Sequence, residues 1–189
     1  MNKKLLFIFI PIALVPYLSL FALATIFFST KLPFFGWVME SVFDSNALFL
    51  IAALLLYYIL SVALSIIYFV VSIYAKWDTL SLAKAAMIIK LIQIPAYVLI
   101  FVLGLMLLIT IFTYPFSIAL FMLNCLSMFM TGLLVIASVI SAIRNNIFSF
   151  TEISWVILLQ FVFCADVISS VIFYNKLKRL NNEEQTVNY

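Results

Sequence analysis

The group with the clearest chemical meaning in this chain is the carboxylate of Asp166, because it lies inside a long apolar run. The run ISWVILLQFVFCADVISSVIFY covers 153–174, and Ser169 and Ser170 follow Asp166 by three and four residues. Residues at these spacings share one helical face, so both hydroxyls are candidate local partners of the carboxylate. A charge at the centre of a membrane span costs about 2.5–3.5 kcal/mol, so we expect Asp166 to point towards protein groups. It could set a structural hydrogen bond, form a proton or cation site, or reach the membrane surface.

A second set of polar side chains recurs every seven residues in the preceding apolar run, with two serines, Ser127 and Ser141, at intermediate steps. The members of this seam are Ser117, Asn124, Thr131, Ser138 and Asn145. A seven-residue repeat keeps one helix face against a partner, and a polar face in a membrane avoids lipid. We expect the seam to pack against the second and fifth spans, or to line a hydrated cavity. The predicted intramembrane polar cluster is Asp166, Ser169, Ser170, Asn124, Thr131 and Ser138.

Enzymatic chemistry is poorly represented in this sequence. It has no histidine, which removes the commonest general base and the commonest metal ligand. Cys125 and Cys164 lie inside apolar runs, and three glycines are too few for a phosphate-binding loop. Glu152 and Asp166 are fourteen residues apart, roughly 21 Å along a helix, too far to act on one bond. We therefore predict no catalytic residue, no cofactor and no metal site.

Composition indicates a membrane protein. Of the 189 residues, 68% are hydrophobic and 9% are charged, whereas soluble domains are about half apolar and a quarter charged. The excess apolar surface is expected to face acyl chains, which makes the lipid bilayer the first partner. A net charge of +3 without a basic stripe does not suggest nucleic acid.

Five apolar runs are long enough to span a bilayer as helices, which need about 20 residues each. They cover 5–28, 47–74, 91–114, 116–143 and 153–174. The first run exceeds a signal-peptide core, so we interpret it as a retained span. The prediction is an all-α polytopic helical bundle, with a single domain over 1–180 and a mobile polar tail over 181–189.

A short amphipathic helix is predicted between the first two spans, in LPFFGWVMESVFDS. At about 100° per residue, its apolar side chains gather on one half of the helix and its acidic ones on the other. Such a helix is expected to lie on the membrane surface, and an extended loop is the alternative. The apolar half holds Phe34, Phe35, Val38, Met39, Val42 and Phe43.

The segment 76–90 is the longest polar interruption, and we expect it to face water in the cytoplasm. Asp78 or Thr79 is predicted to cap the following helix, while Lys84 and Lys90 are expected to reach the headgroups. Pro95 predicts a kink where the third span begins. The fifth span has neither glycine nor proline, so we do not expect a re-entrant hairpin there.

The distribution of basic residues gives a weak indication of how the chain is oriented in the membrane. Basic residues favour the cytoplasmic side. With five spans and the N-terminus inside, six basic residues are cytoplasmic and four are outside. The inside set is Lys3, Lys4, Lys76, Lys84, Lys90 and Arg144, and the outside set is Lys31, Lys176, Lys178 and Arg179. The basic end of the fifth span argues against this threading, and an even number of spans would remove the conflict.

Two segments, KLIQIPAY at 90–97 and FVFCADVIS at 161–169, carry a resemblance to a family. The chain resembles small multi-span membrane proteins of Gram-positive bacteria that have no assigned activity. The resemblance implies a bacterial inner membrane and offers no catalytic residues.

Two functions remain open at this point. One is a non-enzymatic membrane protein that acts by contact with another membrane protein, in an accessory, immunity or stress role. The other is a small transporter or channel that uses the seam and Asp166. No inverted repeat or matching pair of broken helices is visible, which favours the first.

The predicted threading can be tested with single cysteines placed at Asp44 and at Asp78, in a background that lacks Cys125 and Cys164. A membrane-impermeant thiol reagent applied to intact cells should label Asp44→Cys and leave Asp78→Cys unlabelled, because the two residues lie on opposite sides of the second span. Labelling of Asp78→Cys in intact cells would contradict the cytoplasmic assignment.

Overall fold

A computed structural model describes residues 3–75, 77–109, 111–162 and 164–187. Over these residues the chain forms seven α-helices and no β-strand. The all-α helical-bundle class is confirmed. The helices are α1 (Lys3–Phe28), α2 (Pro33–Phe43), α3 (Ala47–Tyr74), α4 (Thr79–Leu107), α5 (Tyr114–Arg144), α6 (Phe150–Leu159) and α7 (Ala165–Val187).

Four helices are long and apolar enough to cross a membrane: the Phe9–Phe28 part of α1, then α3, α4 and α5. They contain between 20 and 31 residues, and a helix rises about 1.5 Å per residue against a hydrocarbon core of about 30 Å. The predicted fifth span at 153–174 is not one helix, because α6 ends at Leu159 and α7 begins at Ala165. The count of five spans is therefore approximate.

Helices α6 and α7 form an antiparallel hairpin. The rings of Phe148 and Phe173 have centroids 6.3 Å apart, and Lys176 Nζ lies 4.6 Å from the centre of the Phe148 ring. In one continuous helix, 25 residues would separate the two rings by roughly 37 Å. The expectation that this stretch contains no hairpin is therefore wrong.

The break between α6 and α7 is made without glycine or proline. The amides of Gln160, Phe161 and Val162 each bond to the carbonyl three residues earlier, which tightens the last turn of the helix. Cys164 then adopts a left-handed backbone conformation with φ of 66°. Non-glycine residues adopt this conformation only rarely, so composition gave no sign of the turn.

The chain divides into two compact units. Unit 1 comprises Met1–Ile12, Leu64–Ile92 and Met128–Tyr189, and unit 2 comprises Ala13–Ala63 and Gln93–Ser127. Each of α1, α3, α4 and α5 contributes residues to both units. The prediction of a single domain over 1–180 stays a prediction. Helix α7 continues to Val187, into the predicted tail, whose mobility stays untested; 188–189 lie outside the described residues.

In unit 2 the predicted amphipathic helix is present as α2. Pro33 occupies its first turn, a position that tolerates the missing amide proton. Met39 packs with Ala22 of α1 and Leu50 of α3 in a small apolar core. Trp37 stays exposed on the other side of the helix.

Helix α3 buries one polar face, made of Ser61, Ser65, Tyr68 and Ser72. Small hydroxyl residues on such a face let helices pack closely. In unit 2, Tyr58 of the same helix shares a 2.7 Å hydrogen bond with Ser19 of α1. The Tyr58 hydroxyl therefore pairs with protein rather than with lipid.

Helix α4 begins at Thr79, and the carboxylate of Asp78 accepts the Ser81 amide at 2.9 Å, as predicted for a helix cap. The first twelve residues of α4 are largely buried, so the water-facing assignment of this segment is wrong. Three alanines, Ala83, Ala85 and Ala86, allow the close packing. Lys84 remains exposed, and Lys76 lies outside the described residues.

The link between α4 and α5 lies earlier than predicted. Helix α4 runs through Pro95 and ends at Leu107, while Tyr114 and Pro115 already belong to α5. The predicted boundary between the runs 91–114 and 116–143 is therefore wrong. Proline suits the first turn of a helix, so Pro115 starts α5 instead of separating the two runs.

Gly36 of α2 lies where a side chain has no room, and this gives a test of the fold. A Cβ at Gly36 would be 2.8 Å from the carbonyl oxygen of Ser29, whereas one at Gly104 would be 3.8 Å from Ser117 Oγ. Gly36→Ala should destabilise the protein by about 1–3 kcal/mol through overpacking, measured by thermal unfolding in detergent. The control Gly104→Ala should cost nothing. Equal unfolding temperatures for the two variants would show that α2 does not approach Ser29 as described.

Candidate functional site

The centre of the candidate site is an ion pair between Lys90 of α4 and Asp166 of α7. Lys90 Nζ lies 2.6 Å from Asp166 Oδ2, and the two side chains are 0% and 1% exposed. Asp166 belongs to the first turn of α7, where the helix dipole favours a negative charge. Burial, opposite charge and a short hydrogen bond together make this a strong polar contact within unit 1.

Lys90 lies near the middle of its helix. The midpoint of α4 is Gln93, three residues further on, or about 4.5 Å along the axis. The expectation that Lys90 extends to the headgroups is wrong, because its ammonium group ends on Asp166 inside unit 1. A lone charge at such depth is costly in hydrocarbon, so each partner offsets the charge of the other.

The hydroxyls of Ser169 and Ser170 hold the backbone next to the ion pair. Both donate to the main-chain carbonyl of Asp166, at 3.0 Å and 2.6 Å. They were expected to bond its carboxylate, which Lys90 occupies instead. Such bonds from serine to a carbonyl one turn earlier are common within helices and leave no hydroxyl proton unpaired.

Gln160, at the tip of the hairpin, ties α6 to α7. Its Nε2 donates to Ser169 Oγ at 3.0 Å, to Ser170 Oγ at 3.5 Å and to the carbonyl of Val156 at 3.1 Å. Its Oε1 is buried and has no hydrogen-bond partner among the residues that the structure describes. A Cβ at Gly132 of α5 would stand 3.6 Å from Gln160 Cβ, an ordinary contact distance, so α5 passes close to the tip.

The polar seam of α5 is buried, as its seven-residue repeat predicted. Ser117, Asn124, Thr131 and Ser138 are each at most 7% exposed, and only Asn145 at the end is open. The hydrogen bonds that join this face to another helix run mainly to α4 rather than to the second and fifth spans. They join Ser117 to the Gly104 carbonyl, Ser127 to Tyr97, and both Ser141 and Asn145 to Thr79.

The structure brings together half of the predicted polar cluster. Asp166, Ser169 and Ser170 are neighbours. Lys90 and Gln160 belong to the same cluster, although neither was predicted as a member of it. The hydroxyls of Thr131 and Ser138 donate to carbonyls of their own helix. Asn124 belongs to unit 2, and its Oδ1 has no partner within the described ranges.

Two sequence signals pointed to the missed residues. Lys90 is a charge at the head of the apolar run LIQIPAYVLIF, and Gln160 is the one amide in its own run. On a continuous helix, Gln160 and Asp166 fall on different faces, so only the chain reversal brings them to one cluster.

The cluster can pair charge and hold a chain reversal, but it offers no nucleophile with an activating base. Among the described residues no group of three histidine, cysteine or acidic side chains could hold a metal ion. Comparisons with protein-family models, with curated proteins and with solved structures found no match.

The coupling between Lys90 and Asp166 can be measured with a double-mutant cycle. Lys90→Met and Asp166→Leu should each destabilise the protein by about 3–5 kcal/mol, because each leaves a buried charge unpaired. The double variant should recover most of this loss, since apolar side chains of similar volume then fill the site. Denaturant unfolding in detergent micelles reports all three values.

The exposed ion pair of α7 provides the control for this cycle. Arg179 and Glu183 are 82% and 55% exposed, and such surface pairs contribute about 0–1 kcal/mol. Arg179→Gln should therefore change stability little. If the double variant loses the sum of the two single losses, Lys90 and Asp166 do not stabilise each other.

Proposed function

We propose that this chain is a non-enzymatic, multi-pass protein of the bacterial inner membrane that acts by contact with another membrane protein. The main support for this proposal is that the ion pair and its serine and glutamine neighbours are buried inside unit 1, with Lys90 and Asp166 at most 1% exposed. A site so closed is suited to holding a structure rather than to admitting a substrate. An accessory, immunity or stress role fits a protein of this kind.

The apolar outer surface supports a role by contact. Within its most apolar stretch, α3 is only 17% buried, whereas α5 is 67% buried. Large side chains such as Ile59, Leu60 and Ile67 point outward from α3 and are more than half exposed. This face suits another transmembrane helix as well as it suits lipid, and we propose it as the contact surface.

Four spans followed by a hairpin would place both chain ends on one side of the membrane. Counted over the sequence, nine of the ten lysines and arginines fall in the ranges of unit 1, and Lys31 alone falls in unit 2. Under the positive-inside rule this asymmetry favours cytoplasmic ends and cytoplasmic loops after α3 and α5. The even number of crossings removes the conflict that five spans created.

A small transporter or channel is the second candidate, and one observation favours it. The chain reverses at 160–164, directly before an ionisable residue. Helices interrupted beside a charged group form ion and substrate sites in many transporters. Asp166 would then exchange a proton or cation, with Lys90 as its counter-charge.

Co-purification in mild detergent separates the two candidates. A stoichiometric foreign membrane protein supports contact, and Leu60→Trp or Ile67→Trp on α3 should reduce its recovery. Val98→Trp, at an equally exposed position on α4, is the matched control and should not. Recovery that is unchanged in all three variants would exclude α3 as the contact surface.

The double variant Lys90→Met with Asp166→Leu distinguishes structure from transport. It should still bind the partner, because its interior stays packed without charge. A lone oligomer that carries ions across proteoliposomes, and loses this flux in the double variant, would contradict the contact function.

A further inference from the structure

The outer face of α7 changes from apolar to polar within one turn. Ile168 and Ile172 are 60% and 47% exposed, and Asn175, Arg179 and Asn182 continue the same stripe at steps of three, four and three residues. The opposite face is buried through Phe173 and Leu177. A helix with this pattern in a bilayer has its interface between residues 172 and 175, so the polar part of the stripe lies at the depth of the headgroups.

The polar part of the stripe borders a shallow, open groove on the surface of α7 itself. The groove is lined by Asn175, Lys178, Arg179, Asn182 and Glu183. Lys178 makes no hydrogen bond or ion pair with any residue that the structure describes. Arg179 bonds Glu183 Oε1 at 2.8 Å through Nε, which is one of its five N–H donors. The neighbouring Lys176 is engaged with the Phe148 ring and does not line the groove.

We propose that this groove binds the phosphate of an anionic phospholipid. Lys178 and Arg179 supply positive charge and Asn175 and Asn182 supply amide donors, which suits phosphate oxygens. Ile168 and Ile172 lie on the same stripe, where they can contact the acyl chain of a lipid. A soluble phosphate has no such chain and would not use this contact. The inference rests on the membrane placement proposed above, and it gives the returning arm of the hairpin a lipid partner in the cytoplasmic leaflet.

Native mass spectrometry of the full chain in a neutral detergent tests the site, with phosphatidylglycerol and phosphatidylcholine as probes. We expect phosphatidylglycerol to bind more tightly. Lys178→Gln should weaken it about fivefold, the factor expected for one basic residue near an anionic surface. Lys84→Gln is the matched control, because Lys84 is also exposed, belongs to unit 1 and loses the same charge. Thermal unfolding checks that both variants are folded.

Three outcomes would overturn the proposal. Equal binding of the two lipids would exclude a phosphate-selective site. Equal weakening by Lys84→Gln would show that only net charge attracts the lipid. Displacement of phosphatidylglycerol by inorganic phosphate at millimolar concentration would indicate a site for soluble phosphate. The cysteine labelling and co-purification experiments do not depend on this lipid, so failure here leaves the proposed function standing.

Discussion

The Lys90–Asp166 ion pair is the contact on which the arrangement of unit 1 depends. It joins residues 76 positions apart in the sequence, one from the middle of α4 and one from the first turn of α7. Neither charge could remain at that depth alone without a cost of a few kcal/mol. The pair thus fixes which turn of α7 faces which turn of α4, the kind of register-setting role best attested for buried polar groups.

The hairpin tip shows how few polar atoms are needed to hold a chain reversal away from water. The amide nitrogen of Gln160 donates to Ser169 and Ser170, whose hydroxyls donate to the carbonyl of Asp166, and Lys90 donates to the Asp166 carboxylate. Most of these polar atoms are therefore paired, and the Gln160 Oε1 is the exception. Gly132 of α5 lies next to Gln160. A network of this kind is stable only when nearly all of its members are paired.

Length and periodicity were enough to predict four of the spans, the helix α2 and the buried seam of α5. These features are determined by local sequence, because about 20 consecutive apolar residues or a seven-residue repeat can be counted along the chain. The break at 160–164 could not be predicted in this way. It depends on three tightened turn bonds and on the positive φ of Cys164, none of which needs a special residue type.

The site was half predicted for a related reason. Asp166, Ser169 and Ser170 are neighbours in sequence, so local spacing joined them correctly. Lys90 was assigned to the membrane surface because a lysine at the head of an apolar run usually lies there. Its true partner is far along the chain, and only tertiary packing brings the two together. The burial of the seam was likewise predicted correctly. Its hydrogen-bonding partner α4 was not predicted, since a repeat does not specify which helix it faces.

The order of the two charges along the chain has a consequence for biogenesis. A ribosome completes α4 well before α7, so Lys90 reaches the membrane while its counter-ion is still unmade. The apolar stretch that later becomes the hairpin is long enough for the insertion machinery to accept as an ordinary span. We expect the last part of the nascent chain to fold back only after Asp166 has formed its ion pair with Lys90. In this protein, final topology would be a product of assembly rather than of insertion alone, which pulse-chase protease protection of nascent chains with and without Lys90→Met would reveal.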